Sequence, residues 1–421
     1  MLSRRTFAGL FTSIIVPPGL SWSQGRGINR KTVLYSGVGR EFSRYEVDLE
    51  AATLLKRDTI ELKSKVQYAW PHPSRRFLYV SSSNGGLGQT SDQHHVAAFR
   101  MDPSSGSLQP HGEPITLQWR PIHSSVDNAG QYLLTAYNEP SGLSVHRIND
   151  DGTIGAQVRQ PDSLDCGIYA HQIRVTPSNR SVILVTRGND STATRPEDPG
   201  SLKVYSFGNG VLTNKASVQP GDGLGFGPRH LDFHPTRPWV YVSIERQNQI
   251  QVYKLQPDGG LSTTPLFVKD TLPHPDMHVS SAGPIHVHPN GRFVYLTNRG
   301  GWSSAPVPAA EMYDGKPILQ STNSTVAVFS IDPETGDPTL IQSADVHGAH
   351  PRTFSFDARA RILVAGSLVP VALRQSGGIG VLPAGLSVFR VGQNGMLDYV
   401  RRYDVETGRE MQWWSGLVAL A

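Results

Sequence analysis

Cysteine is almost missing from this chain. Cys166 is the only one in 421 residues, so no disulfide closes within the chain and no two-cysteine redox pair or cysteine metal site exists. A lone cysteine of this kind reads as a small buried apolar group rather than a nucleophile. Net charge is scarce as well. The formal +4 drops to +2 once Arg4 and Arg5 leave with the leader described below, which singles out neither nucleic acid nor membrane as a partner. Helical periodicity of useful length is absent. No serine stands in a nucleophile-elbow motif, which disfavours covalent acyl transfer. No spacing of His, Cys, Asp and Glu demands a metal, so the expectation is a protein with neither metal nor other cofactor.

What is present begins with a leader. Ser3-Arg4-Arg5-Thr6-Phe7 precedes an apolar run to Val16, with small residues at Ser21 and Ser23. The run is too short to stay in a bilayer, and a charged start, an apolar middle and a small-residue end make residues 1–23 a signal peptide. The arginine pair before Phe7 resembles the twin-arginine type. This predicts a periplasmic or secreted protein, free of the membrane after cleavage, with residues 31–421 as its folded part.

The 42 Gly and 31 Pro suit a chain of many short strands and turns, and the strands repeat. From Gly225, GFGPRHLDFHPTRPWVYVSIERQNQIQVYKL holds three segments of strand character parted by turn signals. Versions of the same unit start near His72, Arg120, His171, Gly283 and His350, about fifty to seventy residues apart. Incomplete ends, TVLYSGVGREFSRYEVDL from Thr32 and MQWWSGLVAL from Met411, make a seventh unit between them. The fold class is therefore all-β: a seven-bladed β-propeller of four-stranded antiparallel blades, its ring closed by N- and C-terminal strands in one blade. Two insertions, 300–323 and 369–384, read as long loops without structure of their own.

Strand direction sorts the polar residues. The loop entering each inner strand and the loop leaving the second strand open on one face, here the near face. The turn between those strands opens on the far face. His72-Pro73, His234-Pro235 and His288-Pro289 fall in the far-face turns, where turn chemistry explains them. The near face collects His123, His171, Arg229, His230, His286 and Arg352 from inner strands, with Asn138, Arg187, Glu245 and Arg299 from second-strand ends. Guanidinium forks bind carboxylate or phosphate, and His and Glu exchange protons.

The runs GFGPRHLDFHP, YVSIERQNQIQVYKL and PIHVHPNGRFVYLTNRG resemble the seven-bladed propeller lactonases, the 6-phosphogluconolactonase family that includes a fungal 3-carboxymuconate lactonizing enzyme. The resemblance covers roughly Lys31 to Leu420. It implies a catalytic His171, Arg229, Glu245 and Arg299 at the channel mouth, with His230, Arg352, Asn138, His286 and Arg187 left to bind substrate. It implies a monomeric, metal-independent lactonase taking a small sugar-acid-type lactone or carboxylate. A muconate-type cycloisomerase and a non-catalytic ligand- or protein-binding propeller are the alternatives. The insertions flank the expected mouth, and export argues against a phosphorylated cytosolic metabolite as substrate.

The leader yields the first prediction. Replacing Arg4 and Arg5 with Lys should hold the precursor in the cytoplasm, as read by fractionation and immunoblotting. Undiminished export of the double variant would remove the twin-arginine assignment.

Overall fold

A computed structural model of the chain describes residues 31–86, 91–273, 280–301, 311–319, 321–375 and 377–421; the leader lies outside them. Strand-forming residues alternate with Gly, Asn and Asp turns throughout, and the strands pair in sequence order into antiparallel sheets. Seven of these sheets are blades. Their inner strands are Lys65–Pro71, Pro121–Val126, Ala170–Val175, Pro228–Phe233, Ala282–Val287, Pro351–Phe356 and Gln412–Ala419, in blades 1 to 7. Each inner strand packs beside the next, and that of blade 7 beside that of blade 1, so the seven form a closed ring.

Blade 7 is assembled from both ends of the chain. Thr32–Val38 pairs along its length with Gln412–Ala419, and Glu41–Asp48 and Thr53–Glu61 complete the sheet outwards. The ring thereby leaves neither end as an unpaired inner edge.

Seven apolar clusters fill the spaces between neighbouring blades. Tyrosines on the second strands fasten blade to blade at the rim: Tyr79, Tyr241 and Tyr295 donate to Gly152, Gly336 and Gly395 carbonyls of the following blade at 2.9, 3.0 and 2.6 Å. Those glycines sit at φ of 80° to 90°, a left-handed conformation that glycine adopts without Cβ strain. The far-face histidines do comparable work. His234 Nδ1 accepts the turn's own amides from Thr236 and Arg237, while Nε2 lies 2.9 Å from the Gly291 carbonyl of blade 5. His72 bonds Gly130 of blade 2 at 3.0 Å in the same way. Proline sets these turns, but the imidazole makes the join.

One feature shared by all seven inner strands positions the site. Each has a β-bulge at its near-face end, where two residues oppose one on the second strand. The extra residues are Gln67, Ile122, His171, Arg229, one of the Gly283–Pro284 pair, Arg352 and Trp413. A bulge breaks the alternation of the strand and re-aims a side chain.

The insertions depart from the sequence expectation. Within them Met312–Tyr313, Lys316–Leu319, Val371–Gln375 and Gly378–Leu382 form a separate four-stranded sheet, in which Lys316–Leu319 runs parallel to Val371–Gln375. They were expected as loops because neither segment shows its pairing alone. The partner strand is about fifty residues away and arrives from the next blade.

Ring closure supplies the second prediction. Deleting 411–421 removes the blade 7 inner strand and bares a full strand edge. The truncated protein should aggregate or unfold without a cooperative transition in calorimetry. Melting like the parent would contradict the shared blade.

Candidate active site

Arg229 is the bulge residue of the blade 4 inner strand and only 2% exposed. Gly227, at φ of +50°, turns the chain into that strand, and its carbonyl receives the Glu245 amide at 2.9 Å. Glu245 directly follows the second strand of the same blade, so the turn and the strand end face each other. Its carboxylate is the hub. Oε2 lies 3.2 Å from Arg229 Nε and 3.4 Å from Arg187 Nε, and Oε1 lies 3.0 Å from Arg299 Nη2. Three blades thus place a guanidinium on one carboxylate.

These ion pairs leave donors over. The Arg229 Nε contact is close but out of line for a hydrogen bond, so among the described residues Arg229 Nε and Nη1 and Arg299 Nε are buried without a hydrogen-bond acceptor. Arg187 shares its charge with Asp190 at 2.8 Å. Arg299 also reaches His350 Nε2 at 3.3 Å and the Ala282 carbonyl at 3.3 Å. Two carboxylates therefore face three guanidiniums here, with Arg352 close enough to be felt by Arg229. Buried N–H groups without partners cost roughly 1–3 kcal/mol each. An anionic or oxyanionic ligand would satisfy them.

The electrostatics separate Glu245 from His171. Burial works to raise the Glu245 pKa, but Arg299, Arg187 and Arg229 together outweigh it and hold the carboxyl well below the usual range. Glu245 is thus a fixed anion and a poor proton acceptor. Burial lowers the His171 pKa, and the neighbouring Arg229 cation lowers it further. His171 is therefore a neutral imidazole at pH 7. Among the described residues its buried Nδ1 has no hydrogen-bond partner, and the ring lies against His230 with centroids 5.1 Å apart. Burial, helped by Arg229 and His171, also keeps His230 neutral.

The structure brings His171, Arg229, Glu245, Arg299, Arg187, His230 and Arg352 to one end of the ring. His123, which follows the blade 2 bulge as His230 follows that of blade 4, is fully buried against Tyr68 at 4.2 Å and His230 at 5.9 Å. Asn138 is a buried residue at the second-strand end of blade 2. His286 is not with them. It is the fifth of six residues in its strand, so it stands towards the far end, 3.7 Å from Asp232 and edge-on to Phe354. Arg174 joins that lower group through Asp232 at 3.3 Å. Sequence reasoning passed over His350, Arg120 and Tyr169. Each immediately precedes an inner strand, a position that the same face-sorting would have selected.

Residues 32–369 match the family model described as "Lactonase, 7-bladed beta-propeller". Two similar relatives are named 6-phosphogluconolactonase. That of Bacillus subtilis (strain 168) is 26% identical over 82% of this chain and 90% of its own. That of Pectobacterium carotovorum is 25% identical over 87% and 92%. Among solved structures, the periplasmic gluconolactonase of Pseudomonas aeruginosa has a TM-score of 0.66 at 19% identity, covering 93% of this chain and 99% of that one. A protein from Lactobacillus plantarum has a TM-score of 0.67 at 20% identity, covering 93% and 100%. At these identities the structural likeness shows the fold.

The hub generates the third prediction. Glu245→Gln leaves buried guanidiniums without their shared anion and should cost about 3–5 kcal/mol at pH 7, measured by urea unfolding. The folded-state pKa is lowered, so the contribution is complete above the ordinary glutamate value of 4.5 and is lost as pH falls below it. The gap between parent and variant should narrow as the pH drops through that range. An unchanged gap would show that the carboxylate is not what balances these cations.

Proposed function

Since the chain belongs to the seven-bladed β-propeller lactonase family, we propose that it hydrolyses a sugar-acid-type lactone bearing a carboxylate or similar anion at the near mouth of the ring. One observation carries this reading: guanidinium N–H groups of Arg229 and Arg299, buried without a hydrogen-bond acceptor among the described residues, stand in the same site as a neutral His171 imidazole.

In this mechanism His171 takes a proton from water as the water oxygen bonds to the lactone carbonyl carbon. The carbonyl π electrons move onto oxygen, and the oxyanion is held by Arg229 and Arg299, whose donors are already aimed and desolvated. Collapse re-forms the carbonyl and breaks the ring C–O bond, and the leaving alkoxide takes the proton back from the His171 imidazolium. The product is the ring-opened hydroxy acid. Glu245 orients the guanidiniums throughout, and its negative charge also favours the transient imidazolium. It is a positioning residue rather than the base. We read the reaction as metal-independent, since among the described residues no group of three or more His, Cys, Asp or Glu is arranged to hold a metal ion. Activity retained in the presence of chelator would be the corresponding observation.

The leader motif supports export to the periplasm or beyond. The relatives' name points to a phosphorylated lactone, whereas an exported enzyme meets mainly unphosphorylated ones.

Kinetics on a lactone panel, corrected for spontaneous hydrolysis, test the assignment. His171→Ala should lower kcat by about 10²–10⁴-fold. Arg229→Ala and Arg299→Ala should each lower it by about 10²–10³-fold. The free-enzyme pKa of His171 is depressed below 6.5, so kcat/KM should rise with pH below that value and be level above it. The far-face His234→Ala should retain activity once its folding is verified. Full activity in His171→Ala, with its acid limb intact, would overturn the role given to this imidazole.

A further inference from the structure

Opposite the Glu245 hub the near face carries a second group of cations, Arg120 and Arg352, which form no ion pair with a carboxylate among the described residues. A cleft of about 130 Å³ is lined by Lys65, Gln67, Arg120, Arg409, Glu410 and Trp413, among others. Gln67 and Trp413 are bulge residues of blades 1 and 7. Arg120 is 6% exposed. Its Nε donates to Gln67 Oε1 at 3.0 Å, while its buried Nη2 has no partner among the described residues. Trp413, also 6% exposed, has a buried Nε1 with no acceptor among them. Its indole is stacked by two guanidiniums, Arg352 at 3.7 Å and Arg120 at 5.3 Å from the ring centroid. Among the described residues, no carboxylate pairs with either arginine. Glu410, which also lines the cleft, is engaged by Lys65 at 3.0 Å.

Stacking on one indole does not account for this arrangement. A cation–π contact returns less free energy than desolvating a guanidinium costs. The two cations also repel each other. Burial, with the Arg299 and Arg120 charges, pushes the Arg352 pKa down to about 9. Arg352 is the link between the two halves of the face, since it feels Arg299 and Glu245 on one side and Arg120 on the other.

We infer that Arg120, Arg352, Gln67 and Trp413 form a second anion-binding subsite, which takes a carboxylate or phosphate carried by the substrate at the end remote from the reacting ester. The cleft has room for such a head group with accompanying water. Gln67 holds the Arg120 fork in place, Arg120 Nη2 and Trp413 Nε1 donate to the anion, and the indole walls the adjoining carbon chain. The subsite selects for lactones that carry an anionic group at the end remote from the ester. As a substrate subsite it rests on the lactonase reading above, but as an anion site it stands by itself.

The test compares three lactones of one ring: a neutral aldonolactone, its terminal carboxylate and its terminal phosphate. The parent enzyme should prefer at least one anionic form in kcat/KM, and the preferred form tells carboxylate from phosphate. In Arg120→Gln and in Arg352→Gln the ratio of anionic to neutral kcat/KM should fall at least tenfold, with partial recovery in Arg120→Lys. Calorimetric titration with malonate and with inorganic phosphate should show binding to the parent that weakens at least tenfold in Arg120→Gln. If Arg120→Gln does not fold, Arg352→Gln and Arg120→Lys decide the ratio. An unchanged ratio in the folded variants, or anion binding indifferent to them, overturns the subsite. Loss of anion binding on substitution in a protein that turns over no lactone keeps the subsite and removes the lactonase reading.

Discussion

Seven strands that converge on one axis all bulge at the same end, and this shared irregularity decides which side chains meet. In a regular strand alternate residues face the channel, so neighbours such as Arg229 and His230 would point to opposite sides. The extra residue breaks that rule once per blade, at one height. His171, Arg229 and Arg352 gather there from three blades, and Gln67 and Trp413 from two more. The bulge is paid for in ladder hydrogen bonds, and the interblade apolar clusters, rim tyrosines and far-face imidazoles hold the ring against that loss.

The chemistry placed there is unbalanced by construction. Glu245 compensates three guanidiniums incompletely, and among the described residues Arg120 and Arg352 form no ion pair with a carboxylate. Buried cations of this kind destabilise a folded protein unless a ligand completes them. Burial keeps the nearby imidazoles neutral, and the surplus cations reinforce it, because each added proton would meet existing positive charge. Anion binding and a proton-accepting His171 therefore share the Arg229 charge as a contributor. Glu245, the natural suspect for a base, is too well paired to serve as one.

Much of this was readable from the residues. The repeat around Gly225, with turn signals at regular places, determined the blades, and the complementary ends at Thr32 and Met411 determined the ring closure. Strand direction alone gathered Arg229, Glu245, Arg299 and His171. Face-sorting failed for His286 because a start-of-strand position was assigned without knowing that the strand begins at Ala282. The bulges were invisible, since nothing in a strand's composition marks the single residue that lacks a partner. Trp413 was missed for a related reason: it is the bulge residue of the strand that closes the ring, and it meets Arg120 only through that closure. The parallel pairing of the two insertions is likewise a long-range contact that neither segment announces locally.

The most direct measurement is a crystal structure of the protein with a cyclic phosphonate analogue of a sugar-acid lactone, which carries its charged oxygens where the oxyanion would form. The mechanism predicts a phosphonate oxygen about 2.7–3.1 Å from donors of both Arg229 and Arg299, with a His171 ring nitrogen facing the position of the attacking water. An analogue seated instead at the far end, among Arg174, Asp232 and His286, would contradict the site. So would one held at the near face with His171 turned away from phosphorus.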